Sequence, residues 1–274
     1  MHSTMQLSRT TRITLRVLMI LGLSVIYVPL LLVVINSFNP GRAFEWPPPG
    51  ISTRWWSAAW SESGPREALL TSVKAGLGAT ACALVLGTLA AFAVQRYRFF
   101  GRQTVSLLLI LPIALPGIVT GIALNAAFQI VLPPLGIGFG LFTVIVGHTT
   151  FCIVIVFNNV GARLRRLAPS AEEASADLGA HTFQTFWYIT LPAVRSALFA
   201  GGLLAFALSF DEIVVTTFTA GPGVTTLPIW IYENLARPNQ APVVDVVAVV
   251  MILFSVLPVY LAQRLSSDTA VTVH

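Results

Sequence analysis

Residues 163–201 read RLRRLAPSAEEASADLGAHTFQTFWYITLPAVRSALFAG, and they decide how the rest of the chain is read. The stretch up to Leu191 is too polar to cross a bilayer, yet too patterned for a linker. Pro169 and Ser170 mark a helix start, with Ser170 as the expected N-cap and Glu173 three residues on to close a capping box. A short helix is expected from about Ala171 to Leu178, ended by a left-handed turn at Gly179. On it Ala171, Ala174, Ser175 and Leu178 follow i, i+3, i+4, i+7 and form a shallow apolar ridge suited to a groove on another protein, with Glu172 and Asp177 pointing elsewhere. A second short helix, about Phe183 to Thr190, presents Phe183, Phe186 and Trp187 before Pro192. The two helices predict a compact elbow.

Outward from the elbow the chain is apolar in blocks of about 20 residues or more, the length that spans a hydrocarbon core. The blocks run at about 15–38, 69–94, 104–132, 141–160, 193–220 and 243–262, which gives six spans. The composition agrees: 55% hydrophobic and 10% charged residues over 274, with mean hydropathy +0.81, excludes a water-soluble globular surface. The first block follows Arg9, Arg12 and Arg16, is too long for a signal-peptide core and lacks a small-residue cleavage site, so it reads as a retained signal-anchor helix. Pro112 and Pro116, with Gly117 and Gly121, predict a kink in the third span. Gly76, Gly78 and Gly87, with Ala79 and Ala83, give the second span a face on which another helix packs closely.

The formal charge of +5 reads as a topology signal and not as a nucleic-acid surface, since no basic patch is interleaved with aromatic rings. With the N-terminus inside, eleven basic residues fall on the cytoplasmic side (Arg9, Arg12, Arg16, Arg96, Arg98, Arg102, Arg163, Arg165, Arg166, Arg195, Arg264) and five outside (Arg42, Arg54, Arg66, Lys74, Arg237). Both termini are therefore expected in the cytoplasm. Trp46, Trp55, Trp56 and Trp60 in the first outer loop suit rings lying at headgroup level. Cys82 and Cys152 read as inert packing residues without metal spacing.

The spacing Glu173-Ala174-Ser175, three residues, Gly179, nine residues, Ile189-x-Leu191-Pro192 resembles the EAA loop of ATP-binding-cassette (ABC) import permeases. Ser175 stands where that family usually has a second alanine. The resemblance implies an all-α membrane protein with the six transmembrane helices of the type I ABC importer permease fold. It would form one domain over 15–265, with the coupling loop at about 161–192, a cytoplasmic segment at 1–14 and a cytoplasmic tail at 266–274. It further implies that Glu173, Ala174, Ser175, Gly179, Ile189, Leu191 and Pro192 couple the chain to a cytoplasmic ABC ATPase dimer. The only lysine, Lys74, lies between Val73 and Ala75, so no G-x-x-x-x-G-K-[ST] phosphate loop exists here. The chain is expected to be a permease and not an enzyme, with no cofactor of its own and with ATP and magnesium bound by the partner ATPase.

Residues 209–235 read SFDEIVVTTFTAGPGVTTLPIWIYENL, and within them Ser209 to Pro228 resembles the fifth-span and outer-loop region of spermidine/putrescine permeases of the second-subunit type; the resemblance extends over nearly the whole chain. It implies polyamine cargo, a second permease subunit in a heterodimer, an extracytoplasmic solute-binding protein and a bacterial inner membrane. Similar permeases carry aminophosphonates, opines or amino acid derivatives. Asp211 and Glu212 are taken as the carboxylates within the spans, toward the outer part of the bilayer. Two readings of them stand: Asp211 faces the pathway and attracts an ammonium group while Glu212 pairs with an arginine or interface donor, or both close hydrogen bonds at the helix end. Adjacent helical residues diverge by about 100°, so both can face one spot only if the helix is broken. His148, with Thr149 and Thr150, reads as a structural hydrogen-bonding cluster, and Tyr232 and Glu233 stand as outer-gate or docking candidates. A secondary transporter would show inverted repeats and a membrane enzyme a cluster of His, Asp or Ser; neither is visible.

Overall fold

A computed structural model describes residues 8–42, 46–237 and 241–271, with side chains described as far as Leu265. The helices are α1 (Arg9–Asn36), α2 (Arg54–Ser61), α3 (Ser63–Arg96), α4 (Arg102–Ala114), α5 (Gly117–Val131), α6 (Leu141–Arg166), α7 (Ser170–Asp177), α8 (Thr182–Thr185), α9 (Leu191–Phe210), α10 (Val214–Thr219), α11 (Leu227–Leu235) and α12 (Ala241–Val271). A π-helical turn over Phe186–Thr190 makes α8 and α9 one continuous rod. No strand occurs among the described residues. Five helices are long and apolar enough to cross a membrane, and α4 with α5 makes a sixth span if the bent pair counts as one.

The chain divides into two units. The first holds the residues up to Glu62 together with Asn234–Val249. None of the residues of α1 is buried within the chain, and its apolar window has a mean hydropathy of 2.8, so lipid or a partner must cover it. Beyond α1 the indole of Trp55 is buried and donates to the carbonyl of Asn39 at 2.9 Å, and Trp56 stacks on Phe38 at 5.4 Å. The tryptophans thus divide: Trp46 and Trp60 are exposed, whereas Trp55 is an internal strut. Asp245, within the apolar window of α12, accepts from the side-chain amide of Asn36. It is a third carboxylate inside a span, which corrects the reading that Asp211 and Glu212 were the two.

The second unit, Ser63–Glu233 with Val250 onward, is built on α3, α6 and α9. Small residues let these rods approach, as the second block predicted. A Cβ on Gly78 would lie 2.7 Å from Ile145, and one on Gly87 would lie 2.9 Å from the Ile153 carbonyl and from Val156. Ala79, Ala83, Val156 and Ala205 are fully buried along this seam. The kink predicted in the third span is a sharp bend of 107° between α4 and α5. Its cause is local: Pro116 bars its predecessor from the helical region, and Leu115 accordingly sits at ψ 145°. The fifth block, expected as one span over 193–220, stops at Phe210, leaves the helix through Asp211–Ile213 and resumes as the short α10.

Candidate functional site

Two regions of the second unit carry the polar chemistry, and they sit at opposite ends of α9. The first is the elbow. Its helix α7 begins one residue earlier than expected, and the capping box does not form: Ser170 lies inside the helix, and the carbonyl of Pro169 accepts from the amides of Glu172 and Glu173 at 2.9 and 3.0 Å. Pro169 already takes helical angles and its carbonyl accepts the first bonds of the helix, which puts Ser170 inside the first turn and out of the capping position. The far end follows the expectation. Gly179 takes φ +86°, its amide donates to Ala176 at 2.9 Å, and the Ala180 amide reaches back to Ser175 at 3.1 Å, which together make a Schellman turn.

The base of the elbow is tied down by groups far away in sequence. The Arg96 guanidinium at the end of α3 contacts both carboxylate oxygens of Glu172, at 3.0 and 3.1 Å, and donates to the carbonyl of Leu164 on α6 at 3.4 Å. The hydroxyl of Thr190 donates to the same carboxylate at 3.1 Å, and Arg163 donates to the carbonyl of Ala193 at 3.0 Å. Glu172 therefore does not point idly elsewhere; it is the anchor of the elbow. Behind it lies a cavity of about 710 Å³, walled by Phe92, Arg96, Glu172, Thr185, Phe186 and Thr190. Pro192 explains the widened turn before α9. It lacks the amide that would bond four residues back and crowds that carbonyl, so Leu191 donates instead to Phe186, five residues back.

The sequence-predicted coupling residues consequently separate. Glu173 and Ala174 lie on the exposed face of α7, beside Leu178, which is 90% exposed. Ser175 turns inward, its hydroxyl 3.1 Å from that of Thr185, so it fastens α7 to α8 and does not join the ridge. Gly179 makes the turn. Ile189, Leu191 and Pro192 form the π turn and the first residues of α9, about the hinge of the elbow and away from its tip.

The second region is the break. Asp211 caps α9 and is exposed in the isolated chain, while Glu212 folds back. The Glu212 carboxylate accepts from the amide of Val215 at 2.9 Å, and its carbonyl accepts from the hydroxyl of Thr216 at 2.7 Å. The donor anticipated for Glu212 is thus a backbone amide of α10 and not an arginine. A carboxylate at a helix start meets orphan amides and the positive end of the dipole, which explains the choice. His148, fully buried on α6, spans the break, with Nδ1 2.7 Å from Ser209 Oγ and Nε2 2.8 Å from Thr216 Oγ1. Asn125 donates to the carbonyl of Phe218 at 2.6 Å, and Thr143 to that of Thr219 at 2.6 Å. Gly221 allows close approach, since a Cβ there would collide with the backbone of Phe139. The broken helix means Asp211 and Glu212 are free of the helical divergence that would have separated them.

Tyr232 and Glu233 are exposed on α11, away from the residues that build either region. A cavity of about 900 Å³ between α3, α9 and α12 is lined by apolar groups such as Leu84, Phe199, Phe206 and Leu257, with no carboxylate to hold a cation. Arg96, Glu172 and the Ser209–His148–Thr216 bridge are what sequence reasoning missed. A proton donor paired with a carboxylate 76 residues away leaves no spacing to read.

Comparison with known proteins places these features in context. Residues 83–270 match the family described as binding-protein-dependent transport system inner membrane component. The chain is 34% identical over 240 residues to the putrescine transport system permease protein PotI of Escherichia coli (strain K12), covering 86% of this chain and 84% of that protein. It is 32% identical over 244 residues to the spermidine/putrescine transport system permease protein PotC of the same strain, covering 89% and 90%. In fold it resembles a solved bacterial ABC transporter involved in the import of the acidic polysaccharide alginate, with a TM-score of 0.72 at 17% identity over 95% of this chain and 99% of that one. The five to six apolar helices therefore belong to the type I importer fold. The chain is a member of the binding-protein-dependent transport system inner membrane component family, a permease subunit of ABC importers, in which ATP is hydrolysed on separate subunits.

Proposed function

We propose that this chain forms, with a second and unlike permease subunit, the pathway of an importer for polyamines such as putrescine and spermidine. The observation that carries the reading is the identity of about one third, over most of both chains, with the putrescine and the spermidine/putrescine permeases. The carboxylate of Asp211, exposed where α9 ends, supports it. A carboxylate at membrane depth must face protein, water or a cation, and a polyamine supplies ammonium groups at both ends. Glu212 shapes the break from which Asp211 projects and does not itself receive cargo.

The elbow docks in a cleft of a cytoplasmic ATPase dimer, which binds ATP and magnesium. Glu173, Ala174 and Leu178 form the contact face, Gly179 sets its shape, and the Arg96–Glu172 pair passes the push to α3 and α6. An extracytoplasmic binding protein delivers the cargo, and both termini lie in the cytoplasm, as the excess of arginine in the elbow-side loops favours. Transport then follows from two conformations of different cargo affinity, alternated by the ATPase.

A second reading, import of an aminophosphonate, has one specific observation behind it. The chain is 30% identical over 67% of its length to a putative 2-aminoethylphosphonate transport system permease protein. Uptake into proteoliposomes holding the complete complex separates the two. Labelled putrescine is expected to accumulate with ATP inside, and accumulation of 2-aminoethylphosphonate in its place would overturn the polyamine assignment.

A further inference from the structure

The Ser209–His148–Thr216 bridge has no part in the reading above, yet its hydrogen bonds determine one another. The hydroxyl of Thr216 has a single proton, and it goes to the carbonyl of Glu212 at 2.7 Å. Toward His148, Thr216 Oγ1 is therefore an acceptor, so Nε2 of the imidazole carries the hydrogen. Nδ1 is then the unprotonated nitrogen and accepts from the hydroxyl of Ser209 at 2.7 Å. One chain of donors runs from Ser209 through His148 and Thr216 to Glu212, crossing the three residues that leave the helix. Ser209 is in the last turn of α9, Thr216 is in the first turn of α10, and His148, between them, is fully buried beside Phe151.

A three-residue gap in an apolar segment would ordinarily rewind, because helix is the state that satisfies backbone groups where water is absent. The bridge opposes this by fixing both flanks at the span of one imidazole ring. We infer that His148 is a positioning residue: a neutral imidazole, protonated on Nε2, that holds Asp211–Ile213 out of the helix and so sets where the Asp211 carboxylate stands. The inference rests on the reading of Asp211 as the pathway carboxylate. It also predicts that the proton-binding capacity of histidine is not what the site uses. The amide of a glutamine, with an NH₂ that donates and a carbonyl oxygen that accepts about as far apart as the ring nitrogens, should serve in its place.

The test uses the assembled complex with its ATPase and binding protein, in which Cys82 and Cys152 are replaced by alanine. His148→Leu is expected to raise the KM for putrescine uptake about tenfold, as two lost hydrogen bonds would, with the maximal rate within about twofold. In the same background, the thiol introduced by Asp211→Cys should change its rate of modification by a cationic methanethiosulfonate by a similar factor. His148→Gln should restore both readouts. Unchanged KM and unchanged labelling in His148→Leu would overturn the inference, and so would a glutamine variant as impaired as the leucine one. Should His148→Leu fail to assemble, Ser209→Ala and Thr216→Val remove one arm each. Each should then raise KM about threefold, and no shift in either overturns the inference. If labelling moves with His148 while Asp211→Asn leaves uptake unaltered, the clamp stands and the pathway role of Asp211 falls.

Discussion

At its first residue α9 meets the elbow, where an arginine and a glutamate hold the geometry; at its last it meets the break, where hydroxyls and a ring nitrogen do so. The Arg96 and Glu172 side chains are 17% and 24% exposed, so water reaches the pair and limits the desolvation it suffers. The bridge across the break is fully buried on its histidine and uses neutral donors and acceptors instead. An unsolvated ion there would cost more than its partner returns. The difference teaches where a membrane transporter places formal charge. At the elbow it is fastened by a charged partner, Arg96 to Glu172, whereas at the break the Glu212 carboxylate is held by a backbone amide and Asp211 stays exposed.

The comparison makes opposite demands on variants at the two ends. Elbow substitutions should alter coupling and spare cargo affinity, while break substitutions should do the reverse. The largest effect is expected at Gly179, whose φ of +86° a β-branched residue resists. Gly179→Val should lower putrescine-stimulated ATPase activity about thirtyfold, the equivalent of about 2 kcal/mol of turn strain, whereas Gly179→Asn should keep most of it. Normal coupling in the valine variant would mean that the turn is not part of the transmission.

Next comes Arg96→Ala, which strands a half-buried carboxylate and should reduce coupling about tenfold. A charge swap, Arg96→Glu with Glu172→Arg, should recover part of the loss, and equal damage in single and double variants would show that the pair has no specific role. Asp211→Asn belongs to the other end. It should raise KM for putrescine about fivefold and leave the ATPase coupling ratio intact. A fall in coupling without a change in KM would erase the contrast between the two regions. The smallest effect is expected at Ser175→Ala, which removes one partly buried hydroxyl contact with Thr185 and should change coupling by threefold at most.

Much of this was open to reading before any coordinates. The six apolar blocks, the elbow and its glycine turn follow from period, length and the special freedom of Gly179, all local properties. The Pro116 bend and the small-residue seam at Gly78 and Gly87 were equally local. What the sequence hid depends on pairs distant in the chain. Arg96 looked like one more topology arginine until Glu172 was beside it, and Asn36 gave no sign of Asp245. Ser170 misled because the proline before it already takes helical angles, so the serine lies inside the first turn. Ser175 misled because a shared stripe does not say which edge of the stripe faces inward. The break at Asp211 carries no proline or glycine, so nothing nearby announced it; its cause is a histidine on another helix.

The π turn over Phe186–Thr190 carries one residue more than an α-helical turn would need, and that surplus fixes the azimuth of everything on its elbow side. Each residue of an α-helix turns the rod by about 100°, so excising one position between Phe186 and Thr190 would swing Glu172 away from Arg96 by roughly a quarter of a circle. The direction in which the exposed face of the elbow points is therefore a matter of residue count. A proline near the head of α9 sets that count, several residues away from the surface it aims.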